Sequence, residues 1–325
     1  MNILIWHVHG GYMTSFVQGR HQYLLPTTPE GGGRSGYDWP DSAREVAPGD
    51  LRDLDVDLVV LQRPEEVERA SELLGREPGR DVPAIFLEHN TPKGDVPFTV
   101  HPLADRSDIT VVHVTHFNEL FWDSGQAPTV VVEHGIVDPG PLYTGEHDAL
   151  ALVVNEPIRR GRVTGTDLLP AFAEVARIDT FGIAGERLGQ HLGLPGRVVH
   201  CGDLSPQQLQ PALAARRVYL HPIRWTSLGL ALLEAMHLGM PVIALATTEV
   251  LRAVPPEAGA VSTDVGELVA AARLLVEDPD EARRRGAVAR EVVLQRYGLQ
   301  RFLDRWDEVL DDEVAAFRRR QRRSA

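Results

Sequence analysis

Three sets of side chains in this sequence have the types and spacing to act on a phosphorylated ligand. Ser227, Leu228, Gly229 and Leu230 lead into a run whose apolar residues at 228, 232, 233 and 236 recur at helical spacing. Gly239 stands where that helix would end, and Val242 to Leu245 reads as a buried strand. A helix that opens on Ser227 and Gly229 points unpaired backbone N–H groups at whatever lies before it, an arrangement suited to an anion. About one turn further in, Glu234 supplies a single carboxylate, so the spacing predicts phosphate at the helix mouth and a sugar hydroxyl on Glu234. The second set is Arg159, Arg160 and Arg162. Each guanidinium is a fixed fork of donors suited to phosphate that keeps its charge near neutral pH, and in an acidic chain their concentration favours an anion-binding role over a solvated basic turn. The third set lies in the first third of the chain. His89 follows a strand pattern over residues 83–87, and ligands of open α/β sheets bind at such carboxyl ends. Gly10 and Gly11 follow a predicted strand over residues 2–8 and allow close backbone approach. His7 and His9 have no third ligand nearby, so no metal is expected. Asp53, Asp55 and Asp57 lead into a strand instead of following one and read as its solvated approach.

Positioning these groups requires strands alternating with helices. Strand patterns recur near 58–61, 109–114, 128–132, 149–154, 179–183, 198–201 and 216–221, with helix patterns at 64–74, 264–275, 279–297 and 300–318. Residues 27–50 are rich in Pro, Gly and polar types and are predicted to form a long loop. At 325 residues, with 43% hydrophobic and 24% charged content, the chain suits two α/β domains of about 150 residues each. A net charge of −13 argues against a nucleic-acid partner and against a broad basic membrane face. The single cysteine, Cys201, rules out an internal disulfide, and no signal peptide or long apolar span is visible, so a cytoplasmic location is expected. The run from Arg318 to Arg323 reads as a solvated helix end, making at most peripheral contact with a membrane.

The stretch LGLALLEAMHLGMPVIA, residues 228–244, closely resembles the nucleotide-binding helix of retaining GT-B glycosyltransferases of the family-4 kind, with its E-x7-E motif. The resemblance is strong over about 146–297 and looser over the first 145 residues. It implies an α/β chain of two Rossmann-like, doubly wound domains facing a central cleft. Residues 1–145 would form the acceptor-side domain, 146–297 the nucleotide-sugar donor domain, and 298–325 a helix crossing back to the first domain with a basic tail. The implied reaction moves a sugar from a nucleotide-diphosphate sugar to an acceptor hydroxyl with retention, without metal or further cofactor. The acceptor, whether a sugar, a lipid-linked sugar or a small molecule, stays open.

In the same resemblance, Glu234 holds the ribose hydroxyls, and the backbone at Gly202 and Leu204 lies against the base. The mouth at 227–230 and the arginines neutralise the diphosphate, Gly10 and Gly11 face the phosphates, and His89 lies by the reacting sugar. His134 replaces the asparagine of the family's V-I-P-N-G-V-D segment. Two further positions depart from the pattern. Thr226 stands where the first motif glutamate contacts the donor sugar, and Thr164 where a lysine holds the diphosphate. Lys93 is the only lysine in the chain, so no shift of alignment restores it. A threonine hydroxyl is shorter than a carboxylate and uncharged, which implies a different donor preference. These departures keep two alternatives open: a non-catalytic nucleotide-sugar-binding or scaffolding protein with a degenerate site, and a nucleotide-sugar epimerase. A phosphorylase is disfavoured because Lys93 lies in the first domain.

Overall fold

Short apolar strands alternating with amphipathic helices build two compact units in the computed structural model, which describes residues 1–28 and 31–324. The first unit comprises Met1–Val137 with the segment from Leu299 onward, and the second comprises Asp138–Gly298. The first contains β1 (Asn2–Ile5), β2 (Gln22–Thr28), β3 (Gly31–Gly32), β4 (Ala43–Val46), β5 (Leu58–Leu61), β6 (Ala84–Glu88), β7 (Thr110–His113) and β8 (Thr129–Val131). Their order is β3-β2-β1-β5-β6-β7-β8, with β4 also paired to β2. Every pairing is parallel except the β2–β3 hairpin. Leu4, Leu24, Val59, Leu61, Phe86 and Val111 meet in its core, as expected of strands covered on both faces.

Two local expectations are corrected here. Residues 27–50 are not one long loop: they hold the end of β2, then β3 and β4, while residues 29 and 30 lie outside the described residues. β4 is a four-residue strand with only Ala43 and Val46 buried, too short for an alternating pattern to stand out, and pairing with β2 is what makes it a strand. Gly10 and Gly11 do not form a loop either. β1 ends at Ile5, and both glycines belong to the first turn of the helix Gly10–Phe16. Burial of Tyr12, Met13 and Phe16 outweighs the poor helix propensity of glycine.

The helix Leu299–Ser324 packs within the first unit. It buries Phe302, Trp306, Val309 and Leu310. The Trp306 indole N–H donates to the Tyr12 hydroxyl (2.9 Å), and Glu313 accepts from Thr110 Oγ1 (2.7 Å). Beyond β5, the buried Glu66 carboxylate accepts from the backbone N–H groups of Gln62 (2.6 Å) and Arg63 (3.2 Å), fixing the turn that leads into the helix Glu66–Leu74. Burial pushes the Glu66 carboxyl up to about 7, against the opposing pull of the two amides.

The second unit contains β9 (His147–Val153), β10 (Arg177–Phe181), β11 (Val198–His200), β12 (Arg216–His221), β13 (Val242–Leu245) and β14 (Gly259–Ser262). The order β11-β10-β9-β12-β13-β14 is parallel throughout. Counted within the unit it is 3-2-1-4-5-6, the Rossmann order, with its switch point between β9 and β12. Leu150, Leu152, Phe172, Ile178, Leu220 and Ile243 fill the core. The helix Leu230–Leu238 joins β12 to β13 and stops at Gly239, whose φ of +90° is easy only for glycine. Among the described residues, no helix is long and apolar enough to cross a membrane.

Trp306→Ala is expected to cost about 3–5 kcal/mol, the usual price of emptying a buried indole site, read as a lower urea midpoint. Glu66 gives a pH signature. Its folded-state pKa lies above the ordinary 4.5, so its contribution to stability is complete below 4.5 and is lost as pH rises through about 7. Glu66→Gln keeps an acceptor for both amides and has no proton to lose. The stability difference between variant and native protein should therefore move in the variant's favour by on the order of 3 kcal/mol from pH 4.5 to 8. A difference that stays flat with pH would refute this assignment.

Candidate functional site

In the second unit, the loops leaving β9, β10 and β11 are laced together at the carboxyl edge of the sheet. Asn155 Oδ1 accepts from the Ile183 N–H (2.9 Å), the Glu156 N–H donates to the Ile183 carbonyl (2.8 Å), and the Gly182 N–H donates to the Gly202 carbonyl (3.0 Å). Glu156 and Ala184 hold left-handed backbone, with φ of +53° and +59°, a conformation costing non-glycine residues about 1–3 kcal/mol. Both line a cavity of about 290 Å³ together with Ile158, Arg159, Glu186 and Arg187. The Gly202 carbonyl is therefore occupied by the neighbouring loop, while Leu204 stands half-buried just before the helix Pro206–Ala214.

The three predicted arginines differ in their surroundings. Arg159 is exposed and pairs with Glu156, its Nε 2.7 Å from Oε1, and this bond holds the Glu156 carboxyl below its ordinary range. Arg162 is exposed and pairs with Asp167 (2.9 Å). The half-buried Arg160 side chain makes no hydrogen bond or ion pair among the described residues. A fourth cation, Arg224, escaped the sequence reading. It grips Asp167 with both ends of its fork (2.6 and 2.9 Å), donates to the Arg162 carbonyl (2.7 Å), and its N–H reaches the Val163 carbonyl (2.9 Å). Gly165, at φ +74°, packs so tightly on the Pro222 carbonyl that any Cβ would overlap it. The arginine-bearing turn is thus fastened to the chain that runs into the helix mouth. Thr164 is buried, and its hydroxyl is used internally on the Gly161 carbonyl and the Thr166 hydroxyl (both 3.1 Å).

At the mouth itself, Gly229 caps the helix Leu230–Leu238 without any side-chain hydrogen bond. Ser227 and Leu228 are buried, and Thr226 is half-buried. Glu234 is half-buried, accepts no hydrogen bond among the described residues, and is pushed above its ordinary pKa by burial. Beneath the mouth lie two buried polar rings that sequence reasoning missed, Tyr219 and His221, stacked with centroids 6.2 Å apart. A Cβ on Gly229 would come within 2.8 Å of the His221 ring, which restricts that position to glycine. Neither His221 nitrogen nor the Tyr219 hydroxyl has a hydrogen-bond partner among the described residues. Burial pushes His221 down to about 4, and raises the Tyr219 hydroxyl, with the Glu234 charge adding to the rise. The detectable signal was a pair of polar rings two apart on a buried strand.

In the first unit, the carboxyl ends of β1, β5 and β6 bring His9, Gln62 and His89 together. His89 Nε2 lies 2.9 Å from Gln62 Oε1, and Gln62 Nε2 donates to the Trp6 carbonyl (2.6 Å). The Tyr12 ring stands edge-on to His89 (4.7 Å between centroids) and to His134 (5.8 Å), while His9 meets His89 at 4.3 Å. Burial holds His89 well below 6.5, with His9 and His134 adding to the shift, and takes His134 to about 4. Gly10 is covered by Tyr37, whose hydroxyl a Cβ would overlap, and Gly11 is exposed. His7 Nδ1 bonds the Gly33 carbonyl (3.0 Å). No group of three His, Cys, Asp or Glu side chains suited to a metal ion occurs among the described residues.

Residues 163–278 match the family model described as glycosyl transferases group 1. No curated protein sequence matches the chain. Among solved structures, a TarM variant of S. aureus in complex with UDP aligns at 12% identity and a TM-score of 0.63 over 78% of this chain. This chain spans about half of that protein, 55% of its length. Sucrose-phosphate synthase of Thermosynechococcus elongatus aligns at 16% identity and a TM-score of 0.73, covering 97% of this chain and 99% of the other. HepE of Anabaena in complex with UDP aligns at 14% identity and a TM-score of 0.70, covering 96% and 99%. At such identities the likeness is one of fold, and the family match supplies the rest: the chain has the GT-B fold, and its second unit carries the glycosyl transferases group 1 segment.

Proposed function

We propose that this protein transfers a sugar from a nucleotide-diphosphate sugar to an acceptor hydroxyl, with retention at the anomeric carbon and without a metal. The observation carrying this reading is Glu234: a half-buried carboxylate with no partner among the described residues, one turn inside an uncapped helix, within the matched segment. A carboxylate kept half out of water without a hydrogen bond is costly, and ribose hydroxyls are suited donors for it. The amides at 228–230 point where a diphosphate would gather charge as the sugar leaves, and preorganised donors there lower the barrier. Arg160 adds the unpaired cation, and Arg224 fixes the turn that carries it, in place of the lysine that Thr164 cannot supply. His89 is assigned to the transferring sugar. UDP is the first nucleotide to try, because the TarM and HepE structures hold it.

A second reading has one observation in its favour. Thr164 spends its hydroxyl on the Gly161 carbonyl and the Thr166 hydroxyl, so nothing at that position reaches outward for a phosphate. A nucleotide-sugar-binding protein without turnover would tolerate that loss. It would bind the same ligands and release no free nucleotide.

Melting temperatures in UDP, GDP, ADP and their sugars test the first step, since a ligand at a hundred times its Kd stabilises the fold by about 2.7 kcal/mol. If none raises the melting temperature, both readings fail. Glu234→Ala is expected to weaken nucleotide binding by about 1.5–3 kcal/mol in calorimetry, the worth of a charged hydrogen bond, and unchanged affinity would remove Glu234 from the site. His89→Ala should keep nucleotide affinity near the native value while nucleotide release from the donor sugar falls at least about tenfold. Full turnover in that variant would make His89 a structural residue.

A further inference from the structure

An imidazole lies under the helix mouth of the second unit with neither nitrogen in use. His221 is the last residue of β12, is 1% exposed, and meets no hydrogen-bond partner at Nδ1 or Nε2 among the described residues. A neutral imidazole has one donor and one acceptor, so two polar groups go unmet where water does not reach, a state that native folds seldom keep. The ring is pressed against the residue that caps the helix Leu230–Leu238. A Cβ on Gly229 would stand 2.8 Å from Cε1 and 3.5 Å from Nε2, so this glycine brings the backbone of the mouth directly onto the imidazole. The groups around the ring supply no compensating charge. Tyr219 stacks on it from the same strand, and β13 sets Ala244 beside it. Arg224, in the segment that follows β12, is committed to Asp167, and the Glu234 charge on the helix acts on the Tyr219 hydroxyl. Burial alone pushes His221 down to about 4, so by itself the ring is neutral across the physiological range.

We propose that His221 belongs to the diphosphate site: a nucleotide diphosphate held at the helix mouth draws a proton from solvent onto the His221 ring, and the imidazolium supplies positive charge beneath the phosphates. This role rests on the function proposed above and adds a group to its site. A nucleotide sugar brings two negative charges to the amides that lie against the ring. Opposite charge beside a buried group favours its charged form, and at an effective dielectric constant of about 20 one charge about 6 Å away moves the pH of half-protonation by about two. The proton comes from water and stays on the ring while the ligand is bound, and none passes to the ligand. The arginine turn shows why such a charge is useful. Arg159 and Arg162 are paired with Glu156 and Asp167, and Thr164 carries no charge, which leaves Arg160 uncommitted. A cation created by binding adds to Arg160 without keeping a permanent charge in the core. As the sugar leaves, the diphosphate gains one further negative charge, and an imidazolium already beneath it lowers that barrier.

Calorimetry of the full chain with UDP-glucose, in buffers of different ionisation enthalpy, counts the protons exchanged on binding. Both phosphates of this probe are esterified, so the ligand itself has no proton to exchange between pH 5.5 and pH 8. Binding should take up more than about half a proton at pH 5.5 and none at pH 8, and should be about fourfold tighter at the lower pH. His221→Gln is neutral throughout this range and should bind with no such uptake and with an affinity that stays flat with pH. His221→Phe replaces ring by ring and should behave in the same way, which guards against a folding failure of the glutamine variant. A residue that only packs under Gly229 would alter affinity equally at every pH and leave the proton count alone. Binding of UDP-glucose without proton uptake, or with the same uptake in either variant, overturns the role of His221 and leaves the diphosphate site standing. No binding of UDP-glucose, GDP-glucose or ADP-glucose at any pH removes the site itself, and the role of His221 with it.

Discussion

A parallel sheet covered on both faces leaves chemistry one place to go, its carboxyl edge, and both units obey this constraint. Apolar side chains from the strands of each sheet fill the two cores, and the candidate residues gather near where the strands stop. In the first unit Trp6, Gln62 and His89 follow β1, β5 and β6, three adjacent strands that include the switch point. In the second, Asn155 follows β9 and the mouth segment follows β12, again across the switch point. The candidate residues of each unit, far apart in the chain, share an edge because the strand order reverses there.

The price of this arrangement is a set of polar groups short of partners. Tyr219 and His221 are fully buried with unsatisfied polar atoms, and Glu234 stands half out of water with its acidity suppressed. Native folds rarely leave such groups unpaired, and the exceptions gather where a protein binds something. Charge is distributed with similar economy. Asp167 is gripped by Arg224 and touched by Arg162, and Glu156 holds Arg159, so much of the positive charge near the turn is balanced within the protein. That matters for a chain carrying a net charge of −13, which must hold a local cationic region against its own field.

The helix-turn-strand unit from 226 to 245 was legible because its signals are local: a glycine at each end, apolar residues at helical spacing, and a β-branched run after Pro241. The position of His89 at a strand end was legible for the same reason. What escaped depends on partners distant in sequence. β4 is a strand only because β2 lies alongside it, and Arg224 matters only because Asp167 sits 57 positions earlier. The Gln62 side chain is held by the Trp6 carbonyl, 56 residues away, and nothing in its own neighbourhood marks it. Glycines at 10 and 11 read as a loop because propensity was local evidence, and the buried ring of Tyr12 outweighed it.

One feature of the first unit bears on how the chain is made. Tyr12, which supports the His89 ring, receives its own hydrogen bond from Trp306, 294 residues later. The whole of the second unit lies between the two partners in the chain, so the first unit, begun first, is closed last. The setting of the histidine cluster is therefore among the last things assembled during synthesis, well after the arginine turn and the helix mouth exist.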